Sequence, residues 1–291
     1  MKPNPVTRRF SEFIADLNWR SLSTEVVEKA KTHLLDTLGV ALAGSQTPHA
    51  RQAAGMVQDL NCLGESTVVG HNWKTAASEA AFVNAIMAHG SDFDDGHKYV
   101  HPGCVVVPVC LSLGERYHID GRSLLLGLIV GYETSIRVSL AAGLAHRNRG
   151  YHPTGTCNTF GAAAAAAKLL NFNAKGINSC LGIGCTMAAG ITQYRFGGSP
   201  IKHLHAGMAA RNGIVAAFLA EKGFRGTYEA LEGKFGFLNT TAGGGDLDPL
   251  TENLNACNLI MGTDIKPYPS CRQTHAPVDL GLQAARESGI V

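Results

Sequence analysis

The run Gly161-Ala-Ala-Ala-Ala-Ala-Ala167 constrains this chain more than any other stretch. Alanine is the strongest helix former, and this run has almost no side-chain bulk. A helix that is small and apolar all round is a buried one, and it lets its neighbours approach closely. Thr159 to Leu170 is therefore expected in the middle of a helical body. Composition agrees: 45% of residues are hydrophobic and only 16% charged, so a large share of each helix must be buried.

Helical spacing of apolar residues recurs along the chain. Val6 to Leu17 places Phe10, Phe13, Ile14 and Leu17 on one face. Ser23 caps a second helix whose apolar stripe runs from Val26 to Leu38 and which ends at Gly44. Further helices are expected over Ala50 to Leu60, Ala76 to His89, Pro108 to Tyr117, Ser123 to Gly143, Ala174 to Ala189 and Gly207 to Lys222, with a short one over Tyr228 to Leu231. Ser66 to Val69 with His71-Asn-Trp73 predicts a small hairpin. The glycine run at Thr241 to Asp246 reads as a connection. Beyond it, Leu259 to Ile265 reads as a strand and Thr274 to Ser288 as a last helix. The expected fold is mainly all-α: a large helical domain over residues 1–245, then the start of a smaller α+β lid over 246–291. Apolar surface is expected to be exposed between Leu259 and Val291.

Bulk charge excludes some functions. The formal net charge is +2, which provides no global field for nucleic acid or an anionic membrane. The longest apolar stretches are broken by glycine, proline or charge, so no membrane span is expected. Met1 to Asp16 lacks the apolar core of a secretory signal. None of the eight cysteines forms a Cys-x-x-Cys pair, so a zinc ribbon or a thiolate-bound iron–sulfur cluster has no local support. Reduced thiols in a cytoplasmic protein are the simplest reading.

Four stretches concentrate ionisable groups at element ends, where functional groups are usually presented. They are His89 to His101, with Asp92, Asp94 and Asp95; Gly150 to Gly155, with His152; Gly197 to Gly207, with Lys202 and His205; and Lys266 to His275, with Arg272. Each group alone has a plainer reading: a loop-capping aspartate, a surface histidine, a solvated lysine, a hydrogen-bonded core histidine. Their recurrence together in a sparsely charged chain points to chemistry. His97 and His101 are four apart, as in a helical two-histidine metal site, but Gly96 and Pro102 oppose a helix there. A metal site is thus the weaker reading.

These motifs, taken in series, resemble the MmgE/PrpD family, which includes 2-methylcitrate dehydratase, cis-aconitate decarboxylase and iminodisuccinate epimerase. The matching residues are His89-x-x-Asp92-Phe-Asp-Asp95 with His101-Pro102, His152-Pro-Thr-Gly155 with Phe160 to Lys168, Lys202-x-Leu-His205-Ala-Gly207, Gly223-Phe-x-Gly226 with Leu231-Glu-Gly233, and Lys266-Pro-Tyr-Pro269 with Thr274-His275. The resemblance implies a helical domain and an α+β lid with the active site between them, a homodimer, and chemistry without metal or other cofactor. It implies a pocket using Asp92, His101, His152, Lys202 and His275, with Arg272, His205 and Asp95 assisting substrate binding. Gly96 stands where the decarboxylase branch carries a threonine.

The implied substrates are small di- or tricarboxylates, and the shared step is proton transfer at carbon beside a carboxylate or imine. Negative charge developing there needs positioned donors, and imidazoles suit the proton transfers. One of His101 and His152 is expected as base and another histidine as acid. Lys202 is expected to hold a carboxylate or the enolate-like charge, and Asp92 to orient an imidazole or bind a substrate hydroxyl. His275 and Arg272 would close from the lid. A hydro-lyase of the 2-methylcitrate type is the leading expectation, with decarboxylation of cis-aconitate or epimerisation of iminodisuccinate as alternatives. An inactive helical dimer serving as a scaffold is the competing class.

Overall fold

Helix α7 (Pro153–Leu169) is buried along almost its whole length. The computed structural model describes residues 5–254 and 257–289. Before α7 come α1 (Val6–Asp16), α2 (Thr24–Gly44), α3 (Pro48–Asp59), the two-residue strands β1 (Ser66–Thr67) and β2 (Lys74–Thr75), α4 (Ala77–His89), α5 (Gly103–Tyr117) and α6 (Gly121–Asn148). After it come α8 (Ala174–Met187), α9 (Tyr194–Gly197), α10 (Ile201–Glu221), α11 (Phe237–Ala242), α12 (Asp248–Thr251) and α13 (His275–Ser288). The fold is mainly all-α; among the described residues β1 and β2 form one small antiparallel hairpin.

Helices α6 and α10 flank α7, and α4 and α5 close the layer beside α10. The close approach depends on missing side chains. A Cβ at Gly161 would lie 1.9 Å from Ser135 Oγ on α6, and one at Gly213 on α10 would lie 2.3 Å from the Cβ of Ala162. The alanine run thus leaves room for three helices to meet nearly backbone to backbone. Where the sequence shows no unbroken apolar span, α6 does meet the length and composition of one, and 83% of its most apolar window is buried inside the fold.

Several elements begin earlier than their periodicity suggests. Helix α5 starts at Gly103 rather than Pro108, because the Asp95 carboxylate accepts the Gly103 N–H at 2.9 Å and caps that end from a distance. Helix α7 starts at Pro153, a residue suited to the first helical turn. Helix α10 starts at Ile201, six residues ahead of Gly207. Helix α6 runs on past a non-helical Gly143 to Asn148.

Two expected elements are absent. Tyr228 to Leu231 forms turns instead of a helix, held by a bond from the Leu231 N–H to Thr7 Oγ1 (3.0 Å). Leu259–Gly262 is one turn of 3-10 helix instead of a strand. Among the described residues no strand lies beside it; Asp264 pairs with Gly96 through two 3.0 Å backbone bonds. The segment after the glycine run packs on α6, where Arg137 donates to the carbonyls of Pro249, Glu252 and Asn253. Helix α13 buries none of its residues; Leu280 and Leu282 are exposed.

Candidate active site

Four helix ends meet at one cavity. The carboxyl end of α4 delivers the loop carrying Asp92. His101 lies just ahead of α5, His152 immediately precedes α7, and Lys202 sits in the first turn of α10. Helix amino ends carry partial positive charge and favour anions. The cavity has a volume of about 410 Å³. Its lining includes the cations Lys98, Arg147, Arg195, Lys202 and Arg272, the imidazoles of His101 and His152, and Tyr99, Tyr151 and Tyr194. Asp92 is the one carboxylate in that lining.

Asp92 is held between two ammonium groups. Lys202 Nζ is 2.6 Å from Oδ2, and Lys266 Nζ is 2.8 Å from Oδ1 and 2.5 Å from the Asp92 carbonyl. Its backbone is left-handed, with φ of 50°, an uncommon state for a residue other than glycine and one that aspartate tolerates better than most. Burial alone would raise the pKa of this carboxyl, but Lys202 and Lys266 outweigh it and hold the group well below the usual range. Burial also disfavours the Lys202 ammonium, yet Asp92 outweighs that and raises its pKa. The result is a fixed ammonium beside the cavity.

The imidazoles form a connected cluster. His101 Nδ1 donates to the Asp95 carbonyl at 2.6 Å, so the proton resides on Nδ1 and the bare nitrogen is Nε2. His89 is fully buried and its Nδ1 bonds to Asp94 Oδ2 at 2.8 Å. The His89 ring lies 5.4 Å from that of His101 and 6.0 Å from that of His152. His152 Nδ1 meets His205 Nδ1 at 3.0 Å, an arrangement in which one ring donates and the other accepts. Burial pushes His101 down to about 4 and His205 to about 4. It drives His152 well below the ordinary value, helped by the neighbouring imidazoles and Lys202. His101, His152 and His205 are thereby kept neutral and can accept a proton.

The structure brings Asp92, His101, His152, Lys202 and Arg272 to one cavity. Asp95, expected at the substrate, is not in the lining. It is fully buried; its carboxylate takes the Gly103 N–H and the Tyr132 hydroxyl at 2.6 Å, and His33 Nδ1 stands 2.8 Å away. His205, also expected to touch substrate, lies behind His152. His275 does not reach the cavity either; its Nε2 donates to the Ser270 carbonyl at 3.2 Å and its ring packs edge-on against Tyr268. Its place at the start of an exposed helix, not its chemistry, keeps it away.

Lys266 was passed over as a site residue although it lies in a stretch marked for chemistry. Only the fold reveals that its side chain is buried against Asp92. Arg147, Arg195 and Tyr194 are marked by no motif, and Tyr151 is overshadowed by His152 in its stretch. Tyr151, beside His152, was the one within reach of sequence reasoning.

A larger, open depression of about 700 Å³ around Gly182 and Phe235 has only Glu229 and Lys234 as charged lining residues and offers no comparable cluster. His89, Asp94 and Cys104 come within 4.8 Å of one another, close enough to suggest a cation site. Their bonding does not suit one. Lys266 Nζ stands 4.0 Å from Asp94, and the Cys104 thiol donates to the His101 carbonyl at 3.3 Å. Burial holds that thiol protonated. His97 and His101 are joined by a tight turn, with His97 paired to Val100, so they do not form a helical ligand pair.

A sequence model of the MmgE/PrpD N-terminal domain matches residues 8–250. The chain belongs to the MmgE/PrpD family. Among curated relatives, human cis-aconitate decarboxylase is 34% identical over 244 residues, covering 80% of this chain and 49% of that protein. The cis-aconitate decarboxylase-like protein oryM of Aspergillus oryzae is 30% identical, over 79% of this chain and 50% of its own length. Cis-aconitate decarboxylase of Aspergillus terreus is 28% identical over 289 residues, covering 94% of this chain and 59% of that enzyme. The chain thus spans about half the length of the curated relatives it matches. These relatives are described as decarboxylases rather than dehydratases, and they favour the first alternative over the leading expectation. Gly96, where a threonine was noted for that branch, is tightly enclosed: a Cβ would meet Arg272 Cδ at 3.3 Å and His101 Nδ1 at 3.4 Å.

Proposed function

We propose that this site serves a lyase of the cis-aconitate decarboxylase type, acting on a small unsaturated tricarboxylate. The observation that carries the reading is the cavity itself: five lining cations, of which Arg272 is paired with Asp264, two imidazoles and a single lining carboxylate already neutralised by two lysines. A guest with several carboxylates matches that excess of positive groups. The names of the relatives support the choice of reaction.

The geometry suits each part of a decarboxylation. Arg147, Arg195 and Arg272 at the cavity would hold carboxylates and fix the guest. In a guest such as cis-aconitate, the bond to the carboxylate one carbon beyond the double bond breaks. Its electron pair shifts through the allyl system as carbon dioxide leaves. The far carbon then takes a proton. Lys202 would stabilise the negative charge that spreads onto the adjoining carboxylate. His101 or His152, charged by the presence of the anion, would deliver the proton. Asp92 fixes the position of the Lys202 ammonium, a role nearer to electrostatics than to proton transfer. The family reading also carries a proposed homodimer, and the exposed Leu35 and Leu42 on α2 offer it an apolar face.

The test is proton NMR of the purified chain with cis-aconitate in deuterium oxide. Loss of carbon dioxide with one deuterium placed on the product carbon is expected. Turnover of 2-methylcitrate alone would favour the dehydratase instead. A folded chain that neither binds nor converts any tricarboxylate would leave the scaffold reading.

A further inference from the structure

Asp95 meets the ring of His101 and the start of α5 at once. Its backbone carbonyl accepts the His101 Nδ1 proton at 2.6 Å, and its carboxylate accepts the Gly103 N–H at 2.9 Å. The chain from 95 to 103 is thus a loop pinned at its base by one residue, with the imidazole of His101 turned inward to that base. Tyr132 on α6 holds the pin: its hydroxyl donates to Asp95 Oδ2 at 2.6 Å. Asp95 and Tyr132 are both fully buried, and neither lines the cavity. The fit leaves no slack. A Cβ on Gly103 would lie 2.7 Å from Tyr132 Oη, 2.7 Å from Thr37 Oγ1 on α2 and 2.8 Å from Asp95 Oδ2.

The backbone of His101 is fixed from the other side. Asn158, buried on α7, donates through Nδ2 to the His101 carbonyl at 2.7 Å. Because α7 starts directly after His152, the backbone of one imidazole is tied to the helix that presents the other. With that backbone anchored, the orientation and tautomer of the His101 ring follow from where the Asp95 carbonyl stands. A proton held on Nδ1 leaves Nε2 as the nitrogen free to exchange one. We propose that Asp95, held by Tyr132, is a positioning residue that fixes the tautomer and orientation of His101, its carboxylate acting on the loop and not on the substrate. The kinetic consequence rests on the decarboxylase reading; the tautomer does not.

The test combines proton–nitrogen NMR of the chain labelled with nitrogen-15 histidine, at pH 7, with steady-state kinetics on cis-aconitate. Long-range couplings show which ring nitrogen carries the proton, and His101→Phe identifies the His101 signals. The wild type should show His101 protonated on Nδ1. In Asp95→Ala the carbonyl remains but its tether is gone. His101 should then become a mixture of tautomers, and kcat should fall about 10²-fold with KM within about threefold. Asp95→Asn, whose amide oxygen can still accept the Gly103 N–H, should recover the Nδ1 tautomer and most of the rate. Should Asp95→Ala fail to fold, Tyr132→Phe keeps the ring and withdraws one bond from the carboxylate. It should move both readouts the same way, with kcat down about tenfold. A wild-type His101 protonated on Nε2 overturns the proposal, as does an unchanged tautomer or kcat in Asp95→Ala, or an Asn variant no better than Ala. A rise in KM that accounts for the whole loss would return Asp95 to the substrate and overturn it too. A wild-type chain inactive on cis-aconitate would defeat the decarboxylase reading alone, and the tautomer would still decide the role of Asp95.

Discussion

Lys202 Nζ lies 2.6 Å from Asp92 Oδ2, and the other oxygen of the same carboxylate is held by Lys266 at 2.8 Å. Two cations on one carboxylate leave a net positive charge at the cavity wall. An anionic guest meets Lys202 already immobilised, and no reorganisation is needed as charge develops.

Replacing Lys202 by methionine should therefore remove transition-state stabilisation with little effect on the fold, because Lys266 still neutralises Asp92. Loss of one such donor typically costs about 10²–10³ in kcat. The check is the rate of product formation from cis-aconitate beside a thermal melt. A variant retaining more than about a tenth of wild-type turnover would remove Lys202 from the electrostatic role.

Gly161→Ala should destabilise the protein although it improves helix propensity. The propensity gain is about 1 kcal/mol. Against it stands a Cβ only 1.9 Å from Ser135 Oγ and 2.7 Å from the Gly131 carbonyl. Overpacking of this kind costs about 1–3 kcal/mol, so the steric effect should win. Denaturant unfolding would show a lower midpoint with an unchanged slope. A higher midpoint would mean that α6 and α7 can part without loss.

Much of the fold was legible because the alanine run and the apolar spacing leave few arrangements other than helices stacked around α7. Asp92, His101, His152 and Lys202 were legible as a group because each sits at a glycine- or proline-marked helix end. The misplaced residues share a physical cause. Asp95 reads like Asp92 in the sequence, but three residues later it points to the start of α5 and is consumed as a distant cap. Lys266 lies in a marked stretch, but nothing in the sequence singles it out there, and only its burial against Asp92 does. Leu259–Gly262 has strand-like composition, yet among the described residues no strand lies beside it to complete a ladder.

Acid should destabilise the fold through His146, which does not itself line the cavity. His146 is fully buried, with Nδ1 2.9 Å from Thr241 Oγ1 and Nε2 2.8 Å from Thr156 Oγ1, and burial lowers its pKa to about 4. Its unfolded value is about 6.5. Between those values the unfolded chain binds the proton more readily, so the stability this ring contributes is complete above pH 6.5 and is lost as pH falls toward 4. The contribution is on the order of 3 kcal/mol. His146→Gln should flatten the slope of stability against pH by about one proton in that window. An unchanged slope would assign the acid sensitivity elsewhere.

Ligand binding should take up protons. Burial and neighbouring positive groups disfavour the imidazolium, holding His101 at about 4 and His152 well below its ordinary value. Placing several carboxylates in the cavity reverses the second influence, since each opposite charge within about 4–6 Å favours the charged ring. The pKa of at least one imidazole should rise toward the working range, and the complex should gain that proton from solvent. Titration of propane-1,2,3-tricarboxylate into the protein at pH 7, repeated in buffers of different ionisation enthalpy, measures this directly. An uptake near one proton is expected, decreasing in His101→Phe or His152→Phe according to which ring is charged. Binding with no proton exchange in any buffer would mean that both rings stay neutral beside the guest, and the proton for the product carbon would have to come from another donor, such as Tyr194.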